Sequence, residues 1–399
     1  MTERTQRHSP LAGLRVLEFG HIAAVPFCGM LLADLGADVV KVEAPQGDGL
    51  RTWPPIVEDA KGERFSLNFA SLNRGKRSIV ADLKNREQLA RVRELCARAD
   101  VIIENYRPGV LDRLGVGFAD IAKLRKPIVY CSISGYGQRG RHAKRGAFDV
   151  VVQGASGLMS VTGEPDRPPV KCGVPVADFT AGLYAAYTIV AARSEALREQ
   201  RAVHLDCSML DCLLGISALQ TSEYWGTGVA PARLGSAHPR NAPYQAFDAS
   251  DAQIIIAAGN DDLWREVCEA TGKQELLDDP RFAGISQRAK NQKELAAILQ
   301  EALSTRTARE WLDELESRGV PSGPMNTFAD ILGDPELESS GLVQEMRVPV
   351  AGTTQTVAYP VQLDGSRVRA MRPPPRLGEH NDDVYAEWTS GDSDARVVR

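Results

Sequence analysis

Over its first 150 residues the chain alternates short apolar runs with amphipathic stretches, and this alternation restricts the fold more than any other feature. Leu14–Gly20 (LRVLEFG) reads as a buried strand, followed by a helix over PFCGMLLADLGA. Asp38–Glu43 (DVVKVE), Arg77–Leu83 (RSIVADL), Asp100–Tyr106 (DVIIENY) and Pro127–Gly137 (PIVYCSISGYG) read as further strands, with NREQLARVRELCARA and FADIAKLR as helices between the later ones. Strand, helix, strand in repetition demands parallel pairing through right-handed crossovers. The expected fold class is therefore α/β, a doubly wound, mostly parallel sheet of Rossmann-like type. Such sheets bind ligands beyond the carboxyl ends of their strands. That directs attention to Gly20–Pro26, Glu43–Asp48, Asn105–Gly109 and Ser134–Gly140.

At 399 residues the chain is long enough for more than one domain. A long helix runs to about Arg198, a strand lies near AVHLDCS, and a helix spans about Met209–Trp225. GTGVAPARLGSAHPRNAP then marks a linker by its Gly, Pro and Ala content. Beyond it YQAFDAS and QIIIAAG form a hairpin, and DDLWREVCEATG, KNQKELAAILQEALSTR and TAREWLDELESRG three helices, the last with a Thr307–Glu310 capping box. We expect a large α/β domain over residues 10–225, a linker and small α+β domain over 226–341, and a C-terminal segment, 342–399, that returns to the large domain.

Several function classes fall away. A nicotinamide enzyme needs G-x-G-x-x-G after its first strand, but here the turn is GHIAAVP, with one glycine. The chain has no GxxxxGK[ST] loop and no GxSxG elbow. With 47 Lys and Arg against 52 Asp and Glu, its net charge of −5 offers no global attraction to nucleic acid or anionic membrane. No apolar run reaches the roughly 18 residues a bilayer demands, and the polar MTERTQRHSPLAG lacks a signal core. A cytoplasmic location is expected. The seven cysteines form no CxxC pair and the six histidines no ligand spacing, so we expect buried free thiols and no metal.

One carboxylate stands out. In VPVADFTAGLYAAYTIVAA (Val174–Ala192), Asp178 is the only acid between Pro175 and Ser194. The local reading is a plain N-cap of a helix from Phe179. At such a place a helix terminus favours the ionised carboxylate and offers N–H groups to developing charge.

Seven segments in chain order carry a wider likeness: LAGLRVLEFG, LADLGADVVKVEAPQGDGLR, LNRGKRSIVADLK, ADVIIENYRPGVLDRLGVG, SISGYGQRG, PVADFTAG and RLGEHNDDV. Together, over about Leu11–Val384, they resemble the class III coenzyme A-transferases, the group that includes formyl-CoA transferase and succinyl-CoA:glutarate CoA-transferase. The resemblance implies that Asp178 is the nucleophile, acylated by an acyl-CoA and then converted to an aspartyl-CoA thioester, which a free carboxylate attacks. It implies no tightly bound cofactor, with coenzyme A and acyl-CoA as substrates. It implies a CoA pocket from His21, Ile22, Ala23, Ala24, Ala81, Lys84, Asn105, Tyr106, Arg107, Arg113, Ser134, Gly135, Tyr136 and Gly137. Lys84, Arg107 and Arg113 suit phosphates; Asn105 suits either pantetheine amides or nearby backbone. It also implies a homodimer with interlocked chains.

Two departures arise. Formyl-CoA transferase has glutamine where Ala23 stands and a CoA-contacting arginine where Ala44 stands, which leaves Lys41 or Arg51 as alternative phosphate holders and argues against formyl-CoA and oxalate. Arg233, His238 and Arg240 in RLGSAHPRNAPYQ suit the distal carboxylate of a dicarboxylic acid, against a reading as polar hinge in which His238–Pro239 shapes the loop. Two other functions compete. The related alpha-methylacyl-CoA racemase uses a histidine before an aspartate, but Phe148 occupies that position before Asp149 and carries no proton. A CoA-binding protein without catalysis is opposed by the intact Asp178 and the small Thr180, Ala181 and Gly182 behind it.

Overall fold

A computed structural model describes residues 9–350, 352–368 and 372–390. It divides into two compact units. The larger comprises the described residues up to Leu158, Cys172–Thr227 and those from Pro335 onward; the smaller comprises Met159–Lys171 and Gly228–Asp334.

The larger unit is built on six strands: β1 (Arg15–Phe19), β2 (Asp38–Glu43), β3 (Arg77–Val80), β4 (Val101–Glu104), β5 (Ile128–Ser134) and β6 (Ala202–Ser208). Their order is β3-β2-β1-β4-β5-β6, and every pairing is parallel. Near-continuous apolar strands such as β5 (IVYCSIS) suit this arrangement, because helices cover both faces of a parallel sheet. On one face lie α1 (Ala24–Asp34) and α3 (Val176–Glu199), with Val16, Val39, Ala181 and Ile189 in a shared core. On the other, Val92 and Leu95 of the helix Arg86–Cys96 join Val384 and Trp388 of the helix Asn381–Thr389. The intervening helix Asp149–Ala155 is α2.

The α/β sheet is the one the alternation predicts. Two local differences have physical causes. The third strand ends at Val80, since only Ala81 N–H continues the ladder, donating to the Glu43 carbonyl at 2.8 Å. The helix read as Met209–Trp225 breaks into α4 (Met209–Ile216) and a second helix, Ala218–Thr227. At the break Ser217 Oγ donates back to the Leu213 carbonyl at 2.7 Å, a bond that competes with the helical ladder. A hairpin of Ile56–Glu58 with Arg64–Ser66 carries no signal that the alternation reveals.

The smaller unit has an antiparallel sheet in which Gln253–Ala257 lies between Ser322–Pro324 and Tyr244–Asp248. Helices Asp261–Thr271, Gln292–Leu303 and Ala308–Ser317 pack on it around Trp264, Phe282 and Trp311. The Thr307–Glu310 capping box is formed.

Candidate active site

Loops from the carboxyl ends of β1, β3, β4 and β5 gather along one edge of the parallel sheet. They contain His21–Ala24, Ala81–Lys84, Asn105–Arg107 and Ser134–Gly137. The first and third are tied together. His21 N–H donates to Asn105 Oδ1 at 3.1 Å, and Asn105 Nδ2 donates to the His21 carbonyl at 2.9 Å. Of the two uses foreseen for Asn105, the structure shows the backbone one. The Tyr106 ring meets His21 edge-on at 5.3 Å. Lys84, Arg107 and Arg113 are exposed and form no ion pair among the described residues. Ser134 Oγ is buried without a hydrogen bond among the described residues, and Gly135 lies so close to Ala147 that a Cβ there would collide with it.

Asp178 is the third residue of α3, not its cap: the helix begins at Val176 behind Pro175. The cap is supplied from another helix. Asp149, the first residue of α2, accepts from Ala177 N–H at 2.8 Å with one oxygen and from Gln153 Nε2 at 2.7 Å with the other. Gln153 Oε1 in turn accepts from Cys172 N–H at 2.8 Å. The Asp178 carboxyl is half-buried and accepts no hydrogen bond among the described residues. Burial first, and the neighbouring Asp149 charge second, push its pKa up to about 7. The expectation that the helix terminus favours the ionised form is thus outweighed, because desolvation and a like charge oppose it.

Close packing joins α3 to the His21–Ala24 loop. A Cβ on Gly182 would stand 2.9 Å from the Ala24 carbonyl oxygen and 2.9 Å from the Phe27 ring. Beside it the Phe27 and Phe179 rings are 4.5 Å apart. Small residues at 177, 181, 185 and 192 allow this approach, each turning its Cβ into the core. One turn along from Asp178, then, α3 rests directly on the start of α1.

The structure removes both alternative phosphate holders. Lys41 is fully buried, with its ammonium on Glu18 (2.8 Å), Asp48 (2.9 Å) and the Gly20 carbonyl (2.6 Å). Arg51 donates to both oxygens of Glu43 (2.8 and 2.7 Å) and lies over the Phe69 ring. Sequence reasoning did not single out Glu18, Asp48 or Lys76. The available signal was a Glu in β1 and a Lys in β2, both inside strands otherwise fit for burial, and Glu18 and Lys41 are register partners.

Phe148, in the position of the racemase histidine, is exposed just before α2. In the smaller unit Arg233 donates to the carbonyls of Glu164 (3.2 Å), Pro165 (3.4 Å) and Arg167 (3.1 Å). His238 Nδ1 accepts from the N–H groups of Arg240 (3.2 Å) and Asn241 (3.1 Å), a turn-shaping role. All seven cysteines are free. No described helix is long and apolar enough to cross a membrane.

Comparison with known proteins shows the family to which this fold belongs. CoA-transferase family III matches residues 11–381. The succinate–glutarate CoA-transferase of Agrobacterium fabrum is 40% identical over 97% of this chain and 98% of its own length. The succinyl-CoA:glutarate CoA-transferase of Mus musculus is 36% identical over 95% of this chain and 86% of its own. A crystal structure of a CAIB/BAIF family protein from Brucella suis superposes with a TM-score of 0.85 at 39% identity, covering 96% of this chain and all of that one. The chain belongs to CoA-transferase family III and is an enzyme of the transferase class.

Proposed function

We propose that the protein moves coenzyme A from a short-chain acyl-CoA, with succinyl-CoA as the leading donor, to a free dicarboxylic acid such as glutarate. The observation that carries this reading is Asp178: a half-buried carboxylate, unpaired among the described residues, in the first turn of α3, one turn from the contact of α3 with the His21–Ala24 loop. A carboxylate without hydrogen bonds keeps its lone pairs for attack.

In the first step an Asp178 oxygen bonds to the thioester carbonyl carbon and the C–S bond breaks, giving a mixed anhydride and CoA thiolate. The thiolate then attacks the aspartyl carbonyl. This releases the first acid as its carboxylate and leaves an aspartyl-CoA thioester. The acceptor carboxylate attacks that thioester, and the same steps reverse to deliver the new acyl-CoA. Acyl activation is conserved throughout, so no external energy source enters. Lys84, Arg107 and Arg113 meet the CoA phosphates. The backbone of His21–Ala24, with Ala81, Asn105, Tyr106 and Ser134–Gly137, borders the pantetheine arm.

The test is mass spectrometry of products after incubation with succinyl-CoA and a panel of free acids that includes glutarate, mesaconate, itaconate and oxalate. Glutaryl-CoA is expected. Release of free CoA with no new thioester from any acid would overturn the reading.

The attacking form is the ionised one. kcat/KM for the acyl-CoA should therefore fall about tenfold per pH unit below about 7 and level off above it. Asp149→Asn removes the neighbouring charge and should move this acid limb to lower pH. A profile that stays flat down to pH 5 would exclude Asp178 as the titrating nucleophile.

We also infer a homodimer. Tyr187 of α3 is 74% exposed and Trp225 of the helix Ala218–Thr227 is 79% exposed, with Leu183 and Leu219 exposed on the same helices. Exposed aromatic and aliphatic surface of this kind marks interaction sites. A sedimentation mass near the 43.3 kDa of one chain would exclude it.

A further inference from the structure

Ile22 has φ +65°, the left-handed region, which a β-branched side chain rarely adopts. Such a conformation persists only where the surroundings over-determine it, and it concentrates at ligand clamps. Here the surroundings are a buried set of charges. Ile22 N–H donates to both oxygens of Asp48, at 3.1 and 3.3 Å. Asp48 also accepts from Leu50 N–H at 2.9 Å and faces Lys41 at 2.9 Å. The Lys41 ammonium grips the Gly20 carbonyl at 2.6 Å and Glu18 at 2.8 Å. The second oxygen of Glu18 pairs with Lys76 at 2.8 Å, and Lys76 donates to the Pro26 carbonyl at 2.7 Å and to Asn73 Oδ1 at 3.0 Å. Glu18, Lys41 and Lys76 are completely buried, and Asp48 nearly so.

The main-chain groups gripped are those that bracket one loop. Gly20 C=O, His21 N–H and C=O, Ile22 N–H and Pro26 C=O are each held by a side chain from elsewhere. The loop itself supplies, in Ile22, Ala23 and Ala24, no polar side chain. Apart from the His21 ring, whatever it offers a ligand is backbone and shape, so its conformation decides most of its contribution. A buried ion-pair set is weak evidence for stability as such. Its directed grip on one loop gives it another purpose.

We propose that Glu18, Lys41, Asp48 and Lys76 are positioning residues, a clamp that holds Ile22 in the left-handed conformation and so pre-forms the 20–24 loop for the CoA thioester. This rests on the functional reading above. Pre-forming a binding loop raises affinity by removing the ordering cost from the binding step.

The test is a double-mutant cycle on the full-length protein, read by calorimetric binding of free coenzyme A alongside melting temperature. In the intact clamp, Ile22→Gly should weaken CoA binding, because it removes the side chain and loosens the loop. In an Asp48→Ala background, which alone weakens CoA binding by about tenfold or more, the same Ile22→Gly change should strengthen binding several-fold, since glycine reaches positive φ without the clamp. Should Asp48→Ala fail to fold, the isosteric Asp48→Asn, which loses the Lys41 ion pair but keeps an acceptor for Ile22 N–H, carries a weaker form of the comparison, in which Ile22→Gly should weaken CoA binding less than it does in the intact clamp. A clamp that only stabilises the fold shows no such reversal. If Ile22→Gly changes affinity in the same direction and by the same factor in both backgrounds, the proposal is overturned. CoA binding is read without turnover. Failure of the clamp is thus distinct from failure of the transferase reading, which falls if Asp178→Ala still transfers CoA.

Discussion

Asp178→Ala abolishes CoA transfer while the protein stays folded: kcat falls by on the order of 10⁴-fold or more, the scale set by removing a covalent nucleophile. No neighbour can take over. Asp149, the acid whose charge acts on Asp178, has both oxygens committed to Ala177 N–H and Gln153. Trapping supports the same point from the other side. Hydroxylamine added during turnover of the unmodified enzyme should leave a hydroxamate on the peptide containing Asp178 and on no other. A stability measurement separates this from a folding defect. Because the Asp178 pKa rises on folding, from 3.8 to about 7, the native state holds its proton more tightly than the unfolded chain. Its ionised form is therefore a burden that is absent below about pH 4, grows as pH rises, and is complete above about 7. The full rise corresponds to about 4 kcal/mol; partial exposure reduces what is realised to roughly 1–3 kcal/mol. Asp178→Asn should then melt higher than the unmodified protein at pH 8 and at the same temperature near pH 4. An inactive variant that is also less stable at pH 8 would mean that the carboxylate supports the fold.

The sheet was legible because its strands are local. Runs such as DVVKVE and IVYCSIS, separated by helical periodicity, need no knowledge of distant residues. Asp178 was legible for a related reason: an isolated acid in an apolar helix contrasts with its own neighbours. Its environment was not. The raised pKa depends on Asp149, 29 positions earlier in the chain, and nothing in RGAFDVVVQ announces that its carboxylate caps a different helix. The same holds for Lys41. Charge alone made it a candidate for phosphate, but parallel register places it opposite Glu18 beneath α1, where no phosphate reaches. Arg51 fails as a phosphate holder because Glu43 lies within reach of both its ends, a fact of folding and not of spacing. Composition identifies which groups carry charge; topology decides which of those charges are already spent on one another.

Gly182→Ala should lose activity through geometry alone. In isolation the change favours folding, since alanine is the better helix former by about 1 kcal/mol. Its site reverses the sign. The new Cβ meets the Ala24 carbonyl oxygen at 2.9 Å and Cys28 N at 3.4 Å, both backbone atoms of α1 that cannot swing aside. The third neighbour, the Phe27 ring at 2.9 Å, is itself braced against Phe179. Relief comes only from moving α1 and α3 apart, and overpacking of this kind costs about 1–3 kcal/mol. The displaced segment is the loop that the buried charges hold in place, so the 20–24 backbone and the Asp178 carboxylate lose their register. Misplacement of reacting groups by about 1 Å can cost about a hundredfold in rate. We expect kcat/KM to fall by roughly tenfold to a hundredfold, with a lower melting temperature and with Asp178 chemically intact. A variant that keeps both its melting temperature and its turnover would show that α1 and α3 do not meet at Gly182, and with that contact would go the link between the loop and the nucleophile.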